Sequence, residues 1–207
     1  MTARPEVAAI VLAAGQASRW RDSGGDSTKL VADWKGEPMV RRAARAALAS
    51  RARPAIVVTG ADSAAVRAAL AGLDLVLVDN PRFAEGIATS LAAGLAAVPH
   101  SADGAVVLLG DMPEVGAALI DNLIAAFAAA PQAKAVVPVV AGERGNPALL
   151  ARALFDPARA LQGDAGARRL IAAAGDDVVE LCVNEHGARL DIDTVEALRN
   201  AGREGEV

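Results

Sequence analysis

Short apolar runs, each closed by glycine, proline or a charged residue, alternate along the chain with stretches of helical spacing. The first run, Val7 to Leu12, stops in Ala13-Ala14-Gly15. Others are Pro54 to Thr59 (PAIVVT), LDLVLVDN from Leu73 to Asn80, Ala105 to Leu109, Ala133 to Val140, and VVELCV around Cys182. Between them the spacing predicts helices from about Glu37 to Ser50, from an Asp62 or Ser63 cap through Ala71, from Gly116 to Ala129, and after Gly86, Asp164 and Thr194. A Lys35-Gly36 turn precedes the first of these. Continuous apolar strands suit burial on both faces, so the pattern predicts an α/β domain with a doubly wound, mostly parallel sheet and helices on both sides. Ligands of such sheets bind at the carboxyl ends of the strands. The loops after each strand therefore carry the candidate chemistry.

The stretch IVLAAGQASRWRDSGGDSTK, Ile10 to Lys29, is the most informative of these. Ala13, Ala14 and Gly15 have almost no side chain, which lets a ligand lie against the main chain and take backbone N–H groups. Arg19 and Lys29 add positive charge, a lining that suits polyphosphate. An ordinary strand-to-helix turn with two solvated cations is the alternative. Gly86 stands ahead of a helix with Ser90 in its first turns, and either a ligand approach or a glycine packed on the sheet accounts for it. Gly110-Asp111-Met112-Pro113 ends a strongly apolar strand, so Asp111 is placed to hold Mg²⁺ against phosphate oxygens or to cap a helix. AGERGNPALL, from Ala141, supplies Arg144 and Asn146. In LQGDAGARRLI, from Leu161, Asp164 reads as a helix cap, or the helix N-terminus it opens as an anion site. Asp191 and Asp193 share one side of an extended segment. The arginines Arg41, Arg42, Arg45 and Arg51 read as a solvated helix face.

Composition narrows the classes. The 207 residues carry a net charge of −4, aromatics make up 2%, and Tyr is absent. A row of stacking aromatics on a basic surface is therefore missing, which argues against nucleic acid as partner. No stretch approaches the roughly 20 apolar residues of a membrane span, so a cytoplasmic protein is expected. Cys182, the single cysteine, reads as a buried thiol. His100 and His186 read as surface residues. One domain over 1–207, with a core of about 6–200, fits the length.

LAAGxxxR followed by a Lys-Leu pair resembles the opening signature of the nucleotidyltransferases related to the molybdenum-cofactor enzymes. The Ala-Ala-Gly form is similar to the branch that transfers CMP to molybdopterin, where the GMP branch has Ala-Gly-Gly. Asn80, Pro81, Phe83, Gly86, Ser90, Leu91, Gly94 and Leu95 match a second element. Gly-Asp-Met-Pro matches the metal element, Gly-Asp-x-Gly-Ala-Arg a later one, and Asp-Ile-Asp-Thr the closing one. The resemblance runs from Val7 to about Leu198. It departs in three places: Trp20-Arg21 follow Arg19 and the longer loop delays Lys29, Asn146 stands where many members have His, and Val195 stands where Pro is usual.

The resemblance implies a Rossmann-like fold of the nucleotide-diphospho-sugar transferase kind and a Mg²⁺-dependent transfer of CMP from CTP to a pterin phosphate, releasing pyrophosphate. It implies Arg19, Lys29 and Asp111 as catalytic residues, and nucleotide contacts from Leu12, Ala13, Ala14, Gly15, Asn80, Gly86, Ser90 and Gly110. Acceptor contacts fall to Met112, Arg144, Gly145, Asn146, Pro147 and Asp164, and metal binding to Asp111 with Asp193 or Asp191. A molybdenum hydroxylase would receive the product. Three rival readings stand beside it: guanylyl transfer from GTP to a related acceptor, an NAD(P)H-dependent reduction of a nicotine-derived pigment on the same fold, and a non-catalytic chaperone of a molybdenum enzyme.

Overall fold

The computed structural model describes residues 4–25, 28–184, 186–190 and 192–204. Asp191, one of the two metal candidates of the closing element, lies outside the described residues. In chain order the elements are β1 (Val7–Ala13), α1 (Ser18–Asp22), β2 (Asp33–Trp34), β3 (Glu37–Pro38), α2 (Met39–Ala49), β4 (Ala55–Thr59), α3 (Ser63–Ala69), β5 (Val76–Asp79), α4 (Ile87–Ala96), β6 (Gly104–Leu109) and α5 (Ala117–Ala129). Then follow β7 (Ala135–Val140), β8 (Glu143–Arg144), β9 (Ala148–Ala151), α6 (Phe155–Arg159), α7 (Ala167–Ala173), β10 (Val178–Cys182) and α8 (Val195–Glu204). Eight strands form one sheet in the order β10-β7-β9-β6-β1-β4-β5, with β8 beside β7.

The central strands β1, β4 and β6 are parallel and flanked on both sides, as their unbroken apolar sequences require. Alternate residues divide between two cores. Val7, Ala9 and Val11 pack with α2 and α5 residues such as Val40, Leu119 and Leu123. Ala8 and Ile10 pack with Leu91 and Leu95 of α4 and Phe155 of α6. Gly94 belongs to this second core because a Cβ there would sit 2.6 Å from the Ile10 side chain, so the helix approaches β1 only through glycine. At the predicted turn, Lys35 (φ 53°) and Gly36 (φ 86°) form the left-handed pair that joins β2 to β3.

The structure corrects several expectations. β9 begins unseen at the end of AGERGNPALL: its Ala-Leu-Leu-Ala lacks β-branched residues, yet it inserts antiparallel between β6 and β7. β5 and β10 are edge strands with a neighbour on one side only, so Val76 stays 43% exposed and Cys182 is an exposed thiol, not a buried one. Arg41 and Arg42 are not simply solvated. Arg41 donates to the carbonyls of Ala69 (2.7 Å) and Ala71 (2.9 Å) at the end of α3, and Arg42 to that of Pro113 (3.2 Å). Asp62 stands at the N-cap of α3, but no side chain makes the capping bond; the Ser63 hydroxyl instead donates to Asp79 Oδ1 at 3.0 Å. Thr194 does cap α8, accepting from the Ala197 N–H at 3.1 Å.

Candidate functional site

The ends of β1 and β6 face the same side of the sheet, and Lys29 is brought between them by a single 3-10 turn, Lys29–Val31. Leu30 anchors that turn in the core and leaves Lys29 itself only 9% exposed. Its ammonium donates to Asp111 Oδ2 (2.6 Å) and to Asp193 Oδ1 (2.7 Å). The Arg19 guanidinium pairs with the other oxygen of Asp193, with its own side chain 76% exposed. Ile192, fully buried, fixes the approach of Asp193, and its N–H donates to the Asp111 carbonyl at 3.2 Å. Burial by itself would lower the Lys29 pKa, but the carboxylates of Asp111 and Asp193 raise it above the ordinary lysine value. Burial likewise works to raise Asp193, and the hydrogen bond and charge of Lys29, with Arg19, hold it below the usual aspartate value.

Asp111 Oδ1 is buried and has no hydrogen-bond partner among the described residues. A buried carboxylate oxygen left bare is costly unless something binds it. Asp111 thus offers a divalent cation an oxygen that no other group takes, and Asp193, whose oxygens accept from Lys29 and Arg19, stands beside it as the second carboxylate donor. Among the described residues no set of three or more His, Cys, Asp or Glu gathers as a metal cage, so such a cation would take its other ligands from water or from phosphate, as Mg²⁺ commonly does.

Beside this cluster lies a cleft of about 410 Å³, into which Leu12, Ala14, Gly15, Lys29, Gly86, Ser90 and Asp111 are all brought. Phe83, Ile87 and Asp164 line it as well. Four of the residues expected to meet a nucleotide or its phosphates stand back from it: Ala13, Arg19, Asn80 and Gly110. Ala13 points into the core, and Gly110 lets the ends of β1 and β6 close, its N–H donating to the Leu12 carbonyl at 2.9 Å. Asn80, 3% exposed, donates to Thr89 (2.9 Å) and Ser90 (3.0 Å) and so orients the first turn of α4. Gly86, at φ 108°, meets the backbone of Gly163, where a Cβ would come within 2.3 Å. The glycine is what lets the 161–166 loop close over α4.

A second cavity of about 470 Å³ adjoins the first through Leu12, Ile87, Leu109 and Asp164. Its floor is aliphatic, with Leu91, Val107, Val137 and Ile171, and Arg144, Gly145 and Asn146 stand at its edge. Met112, Arg144, Gly145 and Asn146 also border a third, polar cavity of about 470 Å³. Pro147 is buried behind them. Asp164 does not cap α7, whose N-cap is Gly166; it stays exposed at the junction of the first two cavities. Arg144 pairs with Glu180 at 2.7 Å. Arg168 and Arg169, which the motif reading quoted without a role, border the second cavity, and neither forms an ion pair among the described residues. The Ala-Arg-Arg that follows Asp164 was the available signal for them.

Residues 9–178 match the MobA-like NTP transferase domain. The chain belongs to that family. Among curated proteins nothing matches. Among solved structures, it is similar to Rv0371c from Mycobacterium tuberculosis H37Rv, 27% identical with TM-score 0.83, covering 97% of this chain and 100% of that one. Rv0371c has also been solved in complex with manganese; that structure is 28% identical with TM-score 0.77 over 97% of this chain and 100% of that chain. A nucleotidyl transferase from Methanothermobacter shares the fold at 22% identity, TM-score 0.80, over 96% of this chain and 97% of that one. The MobA-like chain is thus a nucleotidyltransferase on the nucleotide-diphospho-sugar transferase-like fold, and a nucleoside triphosphate is its class of substrate. No helix among the described residues is long and apolar enough to cross a membrane.

Proposed function

We propose that this chain transfers CMP from CTP to the phosphate of a molybdopterin-type cofactor, with Mg²⁺, for delivery to a molybdenum hydroxylase. The observation that carries the reading is the convergence of Asp111, Asp193 and Lys29 beside the small-residue loop at the end of β1. The Ala13-Ala14 form of that loop resembles the CMP-transferring branch and so supports CTP over GTP, and the manganese complex of Rv0371c supports a divalent ion, for which Asp111 and Asp193 are the carboxylates this site offers.

In the proposed reaction an oxygen of the acceptor phosphate attacks the α-phosphorus. A new P–O–P bond forms while the bond to the β-phosphate bridging oxygen breaks, and that electron pair leaves with pyrophosphate. A divalent cation held by Asp111 and Asp193 would supply Lewis-acid charge to the phosphates. The chain's own part is placement and neutralisation. Asp111 and Asp193 present oxygens, Lys29 places an ammonium at the charge developing on the leaving phosphates, and Arg19 adds a more exposed cation. The loop backbone at Ala14 and Gly15 lies along the cleft, and the second cavity, entered past Asp164, receives the acceptor.

Thermal unfolding with CTP or GTP, each with and without Mg²⁺, tests the donor. A ligand at about 100 times its dissociation constant adds roughly 2.7 kcal/mol, a visible shift in Tm. A CTP-selective, Mg²⁺-dependent shift is expected, followed by pyrophosphate release when molybdopterin is added. A shift with GTP alone would change the donor, and no shift with either would overturn the reading.

A further inference from the structure

Asp111 is placed by the end of a central strand, but Asp193 belongs to a segment with no strand to hold it. We propose that Trp20, in the extended loop between Arg19 and Lys29, is the positioning residue that sets Asp193 against Lys29. This rests on the reading of Asp111 and Asp193 as cation ligands.

The loop opens in α1, five residues long and too short to persist by its own hydrogen bonds. It is held by its indole. Trp20 is 4% exposed and packs in a separate small core with Trp34, Met39 and Ile192, bordered by Leu190, Val195 and Leu198. Ile192 immediately precedes Asp193, so one side of the carboxylate's backbone is anchored in the same small core as the indole. On the other side, the Val195 N–H donates to Ser23 Oγ at 3.1 Å, and that hydroxyl donates to the Trp20 carbonyl at 2.8 Å. Gly25 closes over the ring, where a Cβ would fall 2.0 Å from the indole nitrogen, and its N–H donates to the Trp20 carbonyl at 3.0 Å. The same short helix carries Arg19, whose guanidinium meets Asp193. Thus the residues that depart from the family's usual loop are the ones that grip the segment bearing the second carboxylate on both flanks. Trp20 does not line the cleft; it acts through Asp193.

The test is Mn²⁺ affinity, read by electron paramagnetic resonance on the full chain with α,β-methylene-CTP. Trp20→Ala should weaken Mn²⁺ by about tenfold or more, the range found when residues supporting metal ligands are removed, and Trp20→Phe should restore most of it. Leu198→Ala, which loosens the same core from the α8 side, should weaken Mn²⁺ in the same direction and serves if Trp20→Ala fails to fold. In an Asp193→Asn background, Trp20→Ala should cost nothing further, because its route is already gone. Wild-type Mn²⁺ affinity in folded Trp20→Ala or Leu198→Ala, or a loss that adds in full to Asp193→Asn, would overturn the proposal. Wild-type protein that binds no Mn²⁺, or binds it equally in Asp111→Ala, would remove the cation reading and this inference together.

Discussion

The two halves of the strand-end surface hold their charges in opposite ways. Around β1 and β6 the charges are sunk and cross-tied: the Lys29 side chain is 11% exposed between two carboxylates that are 18% and 33% exposed. Across Leu109 and Asp164 the floor is aliphatic and the arginines stand at the rim in water. A partly buried cluster depends on every member, since removing one leaves another desolvated and unpaired. A rim cation can be lost with little change in stability. Substitutions of similar chemistry should therefore damage the two halves differently, in fold and in kinetics.

The largest contrast is expected at Asp111. Asp111→Ala should lower kcat by a factor of about 10³ or more while the circular dichroism spectrum stays native, because a carboxylate at a strand end contributes to charge placement and not to the sheet. Near-normal turnover would remove Asp111 from the chemistry. Lys29→Ala comes next, with kcat/KM falling by about 10² and a lower Tm, since both carboxylates then face each other without their shared cation. Arg19→Ala bears one side of the same Asp193 from an exposed position, and should raise the KM for CTP by about tenfold with an unchanged Tm. Equal effects of the two would mean that burial does not separate their roles. On the other half, Arg168→Ala should raise the acceptor KM by about tenfold and leave the CTP KM alone. A change confined to CTP would move Arg168 out of the acceptor side.

What the sequence disclosed follows the same division. β1, β6, α2 and α5 were legible because long apolar runs and helical spacing are local properties, and the small residues at Ala14-Gly15 mark their own place at a strand end. Lys29, Asp111 and Asp193 could be named from motifs, but not their mutual contact, which depends on a turn anchored by Leu30 and a segment anchored by Ile192. β9 was invisible because its four residues have no alternation and no β-branched side chain to distinguish them from a loop. Asn80 was assigned to the ligand, whereas its amide serves Thr89 and Ser90; an Asn after a strand reads the same in both roles. Trp20 read as a departure from the family pattern, since the residues it packs against come from distant parts of the chain.

The smallest effect lies at the far edge of the buried half, where Glu114 ties the Trp34 indole to the Lys35 ammonium, accepting from them at 2.5 and 3.0 Å. Burial works to raise the Glu114 pKa, but the bonds from Lys35 and Trp34, with the charge of Arg42 nearby, bring it below the ordinary value of 4.5. A folded pKa below the unfolded one means that the unfolded chain binds the proton more readily. The stabilisation is therefore complete above pH 4.5 and is lost as pH falls through the lower folded value. Glu114→Gln keeps an acceptor for Trp34 but removes the charge, so it should cost less than about 1 kcal/mol at neutral pH, with the pair partly solvated. Measured by urea unfolding at successive pH values, wild type and Glu114→Gln should differ at pH 7 and converge as the solution is acidified well below 4.5. A constant gap across that window would assign the difference to packing around Trp34 and not to the carboxylate. Mn²⁺ affinity should be the same in both proteins, because Glu114→Gln keeps the acceptor for the Trp34 indole and leaves that small core packed.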